Sequence, residues 1–334
     1  MYQFLNSITL QMKTTNLRSL FFLFLFGLLF SCRGEKKNET SETTSNDSTS
    51  TETTKDAVKT VNPAEEYRSF VATLDTTQMT STKKAAEKFQ ELYTNATQEQ
   101  TDEGFLIFDK LYTSVYRSLD EQHYKDMDKT GEYDKYDVIA GIYNGYNDGK
   151  DASPEMLAYN KELASHGFGI GMEEGSTYVL QNRDFLKEYF YDKVSPAMKD
   201  YLVQKNKEAK ESFASDGGLI ISPTRLAERI IWAENFVKEN PNFPKELMEE
   251  IKWSDRAYFS TLVMGMDNTP LFDYQTKEID PEFEKAYQTI ISSYSDTQTA
   301  AIIKPYYEAI KNNDTKKQEE IIGKLRSEDR IYNY

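Results

Sequence analysis

The chain reads as all-α, an irregular multi-helix bundle or a superhelix of antiparallel helix pairs, on three observations. Helix-capping residues stand directly before proline in the pairs Asn62-Pro63, Ser153-Pro154, Ser195-Pro196, Ser222-Pro223 and Asp280-Pro281. Proline suits the first helical position, where its missing N–H has no partner anyway, and it holds the preceding residue in the extended geometry an N-cap needs. Apolar residues then recur at steps of three and four. Alternating strand patterns are scarce, with Leu219-Ile220-Ile221 the best candidate for extended chain.

Taken in order, Asn62-Pro63 opens the first helix and a second is expected near 81–95. Phe105, Phe108, Tyr112, Val115 and Leu119 form one face of a longer helix, with Thr101 as its cap and an end near Tyr124. Further helices are expected near 134–147, from Pro154, near 183–192 and from Pro196. Leu226, Ile230, Ala233 and Val237 continue the helix begun at Ser222-Pro223, and Phe283, Tyr287, Ile290, Ile291 and Tyr294 the one begun at Asp280-Pro281. Stretches 244–264, 298–312 and 315–328 complete the set, and Trp232 and Trp253 read as core anchors of amphipathic helices. Residues 62–334 are therefore read as a single helical domain, with a soft division near Asp216-Gly217-Gly218.

Ahead of that domain lie two segments of different composition. Lys13 and Arg18 precede an uncharged apolar run from Leu20 to Phe30, too short to span a bilayer and shaped like an export signal. It ends in Leu29-Phe30-Ser31-Cys32, which contains the one cysteine of the chain. This resembles the lipobox of bacterial lipoproteins, and the phenylalanine-rich signal with a Ser/Thr-rich sequence after it is similar to lipoproteins of Bacteroidota. Phe30 departs from the small residue usual at its position. The resemblance implies a signal peptide over 1–31, lipidation of Cys32, attachment to the membrane through the lipid, and outer-membrane localisation facing either the periplasm or the cell surface. Residues 32–61 have almost no large apolar side chain and read as a disordered tether. Asp47-Ser48-Thr49 and Asp75-Thr76-Thr77 resemble the short O-glycosylation signal of the same group, with Ser48 and Thr76 as acceptors.

The absence of further cysteine excludes disulfides, zinc–thiolate sites and cysteine nucleophiles. Removing the signal takes away Lys13 and Arg18 and no acid, so the formal charge of −15 becomes more negative by two, which argues against a nucleic-acid partner. The two histidines, His123 and His166, are too far apart in sequence to form a helical metal-ligand pair.

Two segments carry candidate chemistry. Asp126 to Asp137 resembles an EF-hand loop, with oxygen donors Asp126, Asp128 and Thr130, glycine at 131, the peptide carbonyl of Glu132, and Asp137 closing the shell. That resemblance implies a Ca2+ or Mg2+ site; Asp137 is shorter than the usual glutamate, and Tyr133 stands where a small aliphatic is usual. From His166 to Gly175 the chain is its most glycine-dense, and His166, Glu173, Glu174 and Tyr178 are a candidate pocket on a loop. Tyr143 to Gly149 mixes aromatic, amide and carboxylate groups in a way that suits sugars, although tyrosine also fills cores. With no catalytic motif, the reading is a non-catalytic binding or scaffolding protein for an envelope protein, peptide or glycan, rather than an enzyme. The alternative is a hydrolase of envelope polymers with Glu173 or Glu174 as general acid.

Overall fold

Capping chemistry sets the helices of this protein. In the computed structural model, which describes residues 62–130, 136, 139–141, 152–173 and 176–333, all five cap–proline pairs open helices. Asn62, Ser153, Ser195, Ser222 and Asp280 each accept a hydrogen bond from a backbone N–H two or three residues on. The helices are α1 (Pro63–Val71), α2 (Thr80–Leu92), α3 (Gln98–Thr130), α4 (Pro154–Ser165), α5 (Asp184–Tyr189), α6 (Pro196–Lys210), α7 (Pro223–Glu239), α8 (Lys245–Met264), α9 (Pro281–Ser293), α10 (Gln298–Lys311) and α11 (Thr315–Ser327). The fold is mostly all-α, and none of the described helices is long and apolar enough to cross a membrane.

Three short antiparallel hairpins interrupt the helices. Strands β1 (Phe168–Glu173) and β2 (Ser176–Gln181) pair between α4 and α5. The two-residue strands β3 (Ala214–Ser215) and β4 (Gly218–Leu219) pair between α6 and α7, and β5 (Gly265–Met266) and β6 (Thr269–Pro270) between α8 and α9.

Residues Asn62–Tyr334 form one compact unit around two apolar cores. The first gathers α1 to α6 and the β1–β2 hairpin around Phe89, Phe105, Phe108, Tyr112, Phe168 and Phe190; the Phe108 and Phe190 rings lie 4.4 Å apart. The second gathers α9 to α11 around Phe259, Phe283, Tyr287, Ile303 and Leu325. Helices α7 and α8 are an antiparallel spine shared by both. The first half of α7 (Leu226, Ala227, Ile230) and the second half of α8 (Phe259, Leu262, Val263) enter the second core. Ala233 and Phe236 of α7, with Leu247, Met248 and Ile251 of α8, enter the first.

The long helix α3 departs from the sequence expectation at both ends. It starts at Gln98, capped by Thr97 in a reciprocal box with Gln100 (Gln100 N to Thr97 Oγ1 3.3 Å, Thr97 N to Gln100 Oε1 2.9 Å) rather than by Thr101, whose hydroxyl binds the Lys193 carbonyl instead. It also continues past Tyr124 to Thr130. No glycine or proline intervenes before Gly131, and the Glu121–Lys125 ion pair at 2.5 Å supports the helix at i,i+4.

Candidate functional site

The candidate residues of the acidic segment fall on a helix. Asp126, Asp128 and Thr130 lie on helical backbone at the end of α3. Helical backbone at these positions is not the tight turn an EF-hand loop makes. Glu132 and Asp137 lie outside the described residues, as do Cys32, Ser48, Glu174 and Tyr143 to Gly149. Among the described residues, no group of three or more His, Cys, Asp or Glu side chains is placed to hold a metal ion. Thr76 sits half-buried in the turn between α1 and α2, where Asp75 Oδ1 accepts from Thr77 N at 2.9 Å and Thr77 Oγ1 at 2.8 Å.

The glycine-rich segment is a β-hairpin instead of a loop between helices. His166 is at its base, as the C-cap of α4, with Nδ1 2.8 Å from the Glu162 carbonyl oxygen. Glu173 is at its tip, paired in register with the exposed Ser176. Six residues of strand separate them by roughly 17–20 Å, so His166 and Glu173 do not meet. Tyr178 faces Gly171 across the hairpin; a Cβ at Gly171 would come within 2.7 Å of the Tyr178 ring, which explains why a strand here carries glycine. His123 is buried at 4 % exposure, its Nε2 3.1 Å from Thr177 Oγ1 and its ring edge-on to Tyr136 at 4.2 Å.

A different constellation brings charged groups together. An open cleft of about 580 Å³ lies between α3 and the start of α8, lined by Leu106, Pro244, Lys245, Glu246 and Glu249. One helical turn from Leu106 stands Asp109, and one turn from Glu246 stands Glu250. Helix α6 contributes Tyr201 and Lys205, one turn apart on the face that reaches α8. Tyr201 donates its hydroxyl proton to Glu250 Oε2 at 2.9 Å, and Lys205 Nζ lies 3.1 Å from Glu250 Oε1, 3.2 Å from Glu208 Oε2 and 3.3 Å from Ser254 Oγ. Both oxygens of Glu250 are thus held while its side chain remains 41 % exposed.

Asp109 and Glu250, each one turn from a lining residue of the cleft, sit in opposed environments. Loss of hydration raises the Asp109 carboxyl to about 6; Arg183 and Lys110 oppose the rise, Glu250 and Glu246 add to it, and no hydrogen bond from the described residues assists ionisation. Loss of hydration works in the same direction on Glu250, but Lys205, Arg183 and the Tyr201 hydroxyl outweigh it and hold that carboxyl below its ordinary value. Burial pushes the Tyr201 hydroxyl well up, reinforced by Glu250. On the rim Glu246 pairs with Lys110 at 3.1 Å and Glu249 with Lys252 at 3.0 Å, and Lys245 adds a further cation.

Trp232 is half-buried against Phe236, with Nε1 donating to Asp200 at 3.3 Å. Trp253 is not a core anchor: it is 39 % exposed, on α8 one turn beyond Glu249 and Glu250. Sequence reasoning does not find this charged cluster because its members come from α3, α6, α8 and the start of α5, with no common spacing. No protein-family model, no curated protein and no solved structure matches the chain.

Proposed function

We propose that this is a lipid-anchored protein of a bacterial cell envelope that binds an envelope component in the cleft between α3 and the start of α8. The observation that carries the binding site is the pairing of an organised carboxylate, Glu250, with a half-buried one, Asp109, that takes no hydrogen bond from the described residues. Concave sites with a few converging polar groups of perturbed acidity are where ligands bind. The anchor rests on Leu29-Phe30-Ser31-Cys32, the residue lipidated being Cys32; attachment to the outer membrane follows from that reading. A solubilised envelope fraction added to the full chain should slow amide exchange over 246–254, and Glu250→Gln should abolish the effect. Unchanged exchange in the wild-type protein sinks the binding site, and failure of a lipid label to enter the chain, or its persistence in Cys32→Ala, sinks the anchor.

A second reading is favoured by the same two carboxyls. One held protonated to about pH 6 beside one held ionised is the arrangement that separates an acid from a base. In a hydrolase of envelope polymers, Asp109 would protonate the leaving oxygen and Glu250 would take the proton of the attacking water, in place of Glu173 and Glu174. Release of new chain ends by wild-type protein and its loss in Asp109→Asn supports this; activity retained in that variant removes it.

A further inference from the structure

The α8 sequence puts Trp253 where its pattern suggests core, yet the core face of the helix is Leu247, Met248, Ile251, Tyr258, Phe259 and Leu262. Trp253 lies off that face with 39 % of its surface in water. Residues three and four apart on a helix are side by side, about 5–6 Å between Cβ atoms, so the indole neighbours both Glu249 and Glu250. An exposed aromatic plane thus adjoins a carboxylate whose two oxygens are already fixed by Tyr201 and Lys205.

Charge narrows what fits beside it. Each carboxylate on this stretch of α8 has a cation: Glu246 has Lys110 at 3.1 Å, Glu249 has Lys252 at 3.0 Å and Glu250 has Lys205 at 3.1 Å. A cationic ligand would have to displace a lysine to gain a carboxylate. An anionic one would find Lys245 on the rim but face Glu246, Glu249 and Glu250 together with Asp109. A neutral ligand rich in hydroxyls suffers neither penalty, because hydroxyls donate to carboxylate oxygens and accept from lysine without breaking the ion pairs. The C–H face of a pyranose ring in turn covers an exposed indole as an apolar group would.

We infer that the ligand of this cleft is a neutral glycan, with Trp253 as the stacking platform and Glu249 and Glu250 accepting its hydroxyl protons. The inference rests on the reading of the cleft as the binding site. It is tested with the full chain in mild detergent on an array of neutral glycans (N-acetylglucosamine oligomers, mannans and glucans), followed by titration of any retained glycan against tryptophan emission. At least one glycan should be retained, with affinity at least tenfold weaker in Trp253→Ala, less affected in Trp253→Phe and unchanged in Trp232→Phe. Because Trp253 is exposed, the melting temperature of Trp253→Ala should match the wild type, which separates lost binding from lost folding. An array with no retained glycan, or equal affinity in Trp253→Ala, overturns the inference. If glycans fail while apolar peptides bind in a manner that Glu250→Gln abolishes, the cleft stands and its ligand is not a glycan; if those also fail, the cleft reading falls with it.

Discussion

Lys205 Nζ stands between Glu250 and Glu208, 3.1 Å from one carboxylate and 3.2 Å from the other, with only 12 % of its side chain exposed. It is therefore the shared counter-ion of two helices, α6 and α8, at the junction of the two apolar cores. Both carboxylates hold its ammonium charged, against the loss of hydration that would release the proton.

Removing that cation should be costly. Lys205→Met leaves Glu208, 9 % exposed, without its counter-ion and with only the Gln204 amide at 3.0 Å, and breaking a buried pair from one side typically costs ~3–5 kcal/mol. Since Glu250 can still reach water, we expect the lower end of that range in urea unfolding. Adding Glu208→Gln should recover part of the loss. A Lys205→Met protein as stable as wild type would mean that the ion pairs contribute nothing net.

Asp109 gives a pH dependence with a defined sign. Its carboxyl rises from 3.8 to about 6 on folding, so the native state holds the proton more tightly than the unfolded chain. The stability this contributes is full below the unfolded value and is lost as pH rises through about 6. Asp109→Asn cannot ionise. Its melting temperature should match wild type near pH 4 and exceed it by several degrees at pH 8, at about 2–4 °C for each kcal/mol in a domain of this size. A difference that does not change with pH would place the effect elsewhere than in the titration against Arg183, Lys110, Glu246 and Glu250.

The helices are legible in the sequence because their signals are local. At positions 62, 153, 195, 222 and 280 a serine, asparagine or aspartate before proline sets a helix start within three residues and accepts the N-cap bond, whereas Asn240-Pro241 closes α7 and opens no helix. The α3 terminus is not, because acids at 126 and 128 suggest a loop, whereas acidic and basic residues at i,i+4 are equally at home in a solvated helix. The hairpin at Phe168 escapes sequence reading since its alternation is hidden by glycines, one of which, Gly171, makes room for the Tyr178 ring across the sheet. Asp109, Lys205 and Glu250 cannot be found by spacing: each looks like an ordinary surface charge until three helices pack. Trp253 shows the converse failure, as helical periodicity alone cannot tell a half-exposed aromatic from a core one.

Gly265, the C-cap of α8, should tolerate no side chain. Its φ is +73° and a Cβ would stand 2.4 Å from the Leu271 backbone nitrogen. The clash is with backbone, so no rotamer change relieves it, and the left-handed conformation adds strain of its own. Gly265→Ala should cost at least ~1–3 kcal/mol and shift the β5–β6 hairpin, seen as lost exchange protection over 265–271. A Gly218→Ala control, whose Cβ would meet side chains at 3.2 and 3.3 Å that can give way, should cost less.

The segment after α11 closes the second core as a strap over α8. Ile331 is fully buried, Tyr332 N donates to Ser260 Oγ at 2.9 Å, and Arg256 donates to the Ile331 carbonyl at 3.0 Å. Arg330 pairs with Asp255 and lies over the Phe259 ring at 4.3 Å, while Arg256 pairs with Asp329 at 2.6 Å. Of these groups Asp329 is exposed enough for water to replace its lost partner, whereas the buried isoleucine cannot be replaced that way. Ile331→Ala should therefore lower stability by ~2–5 kcal/mol through the cavity it leaves, and Asp329→Ala, 77 % exposed, by under ~1 kcal/mol. The reverse order in denaturant titration would show that the strap is held by its charges and not by the apolar contact.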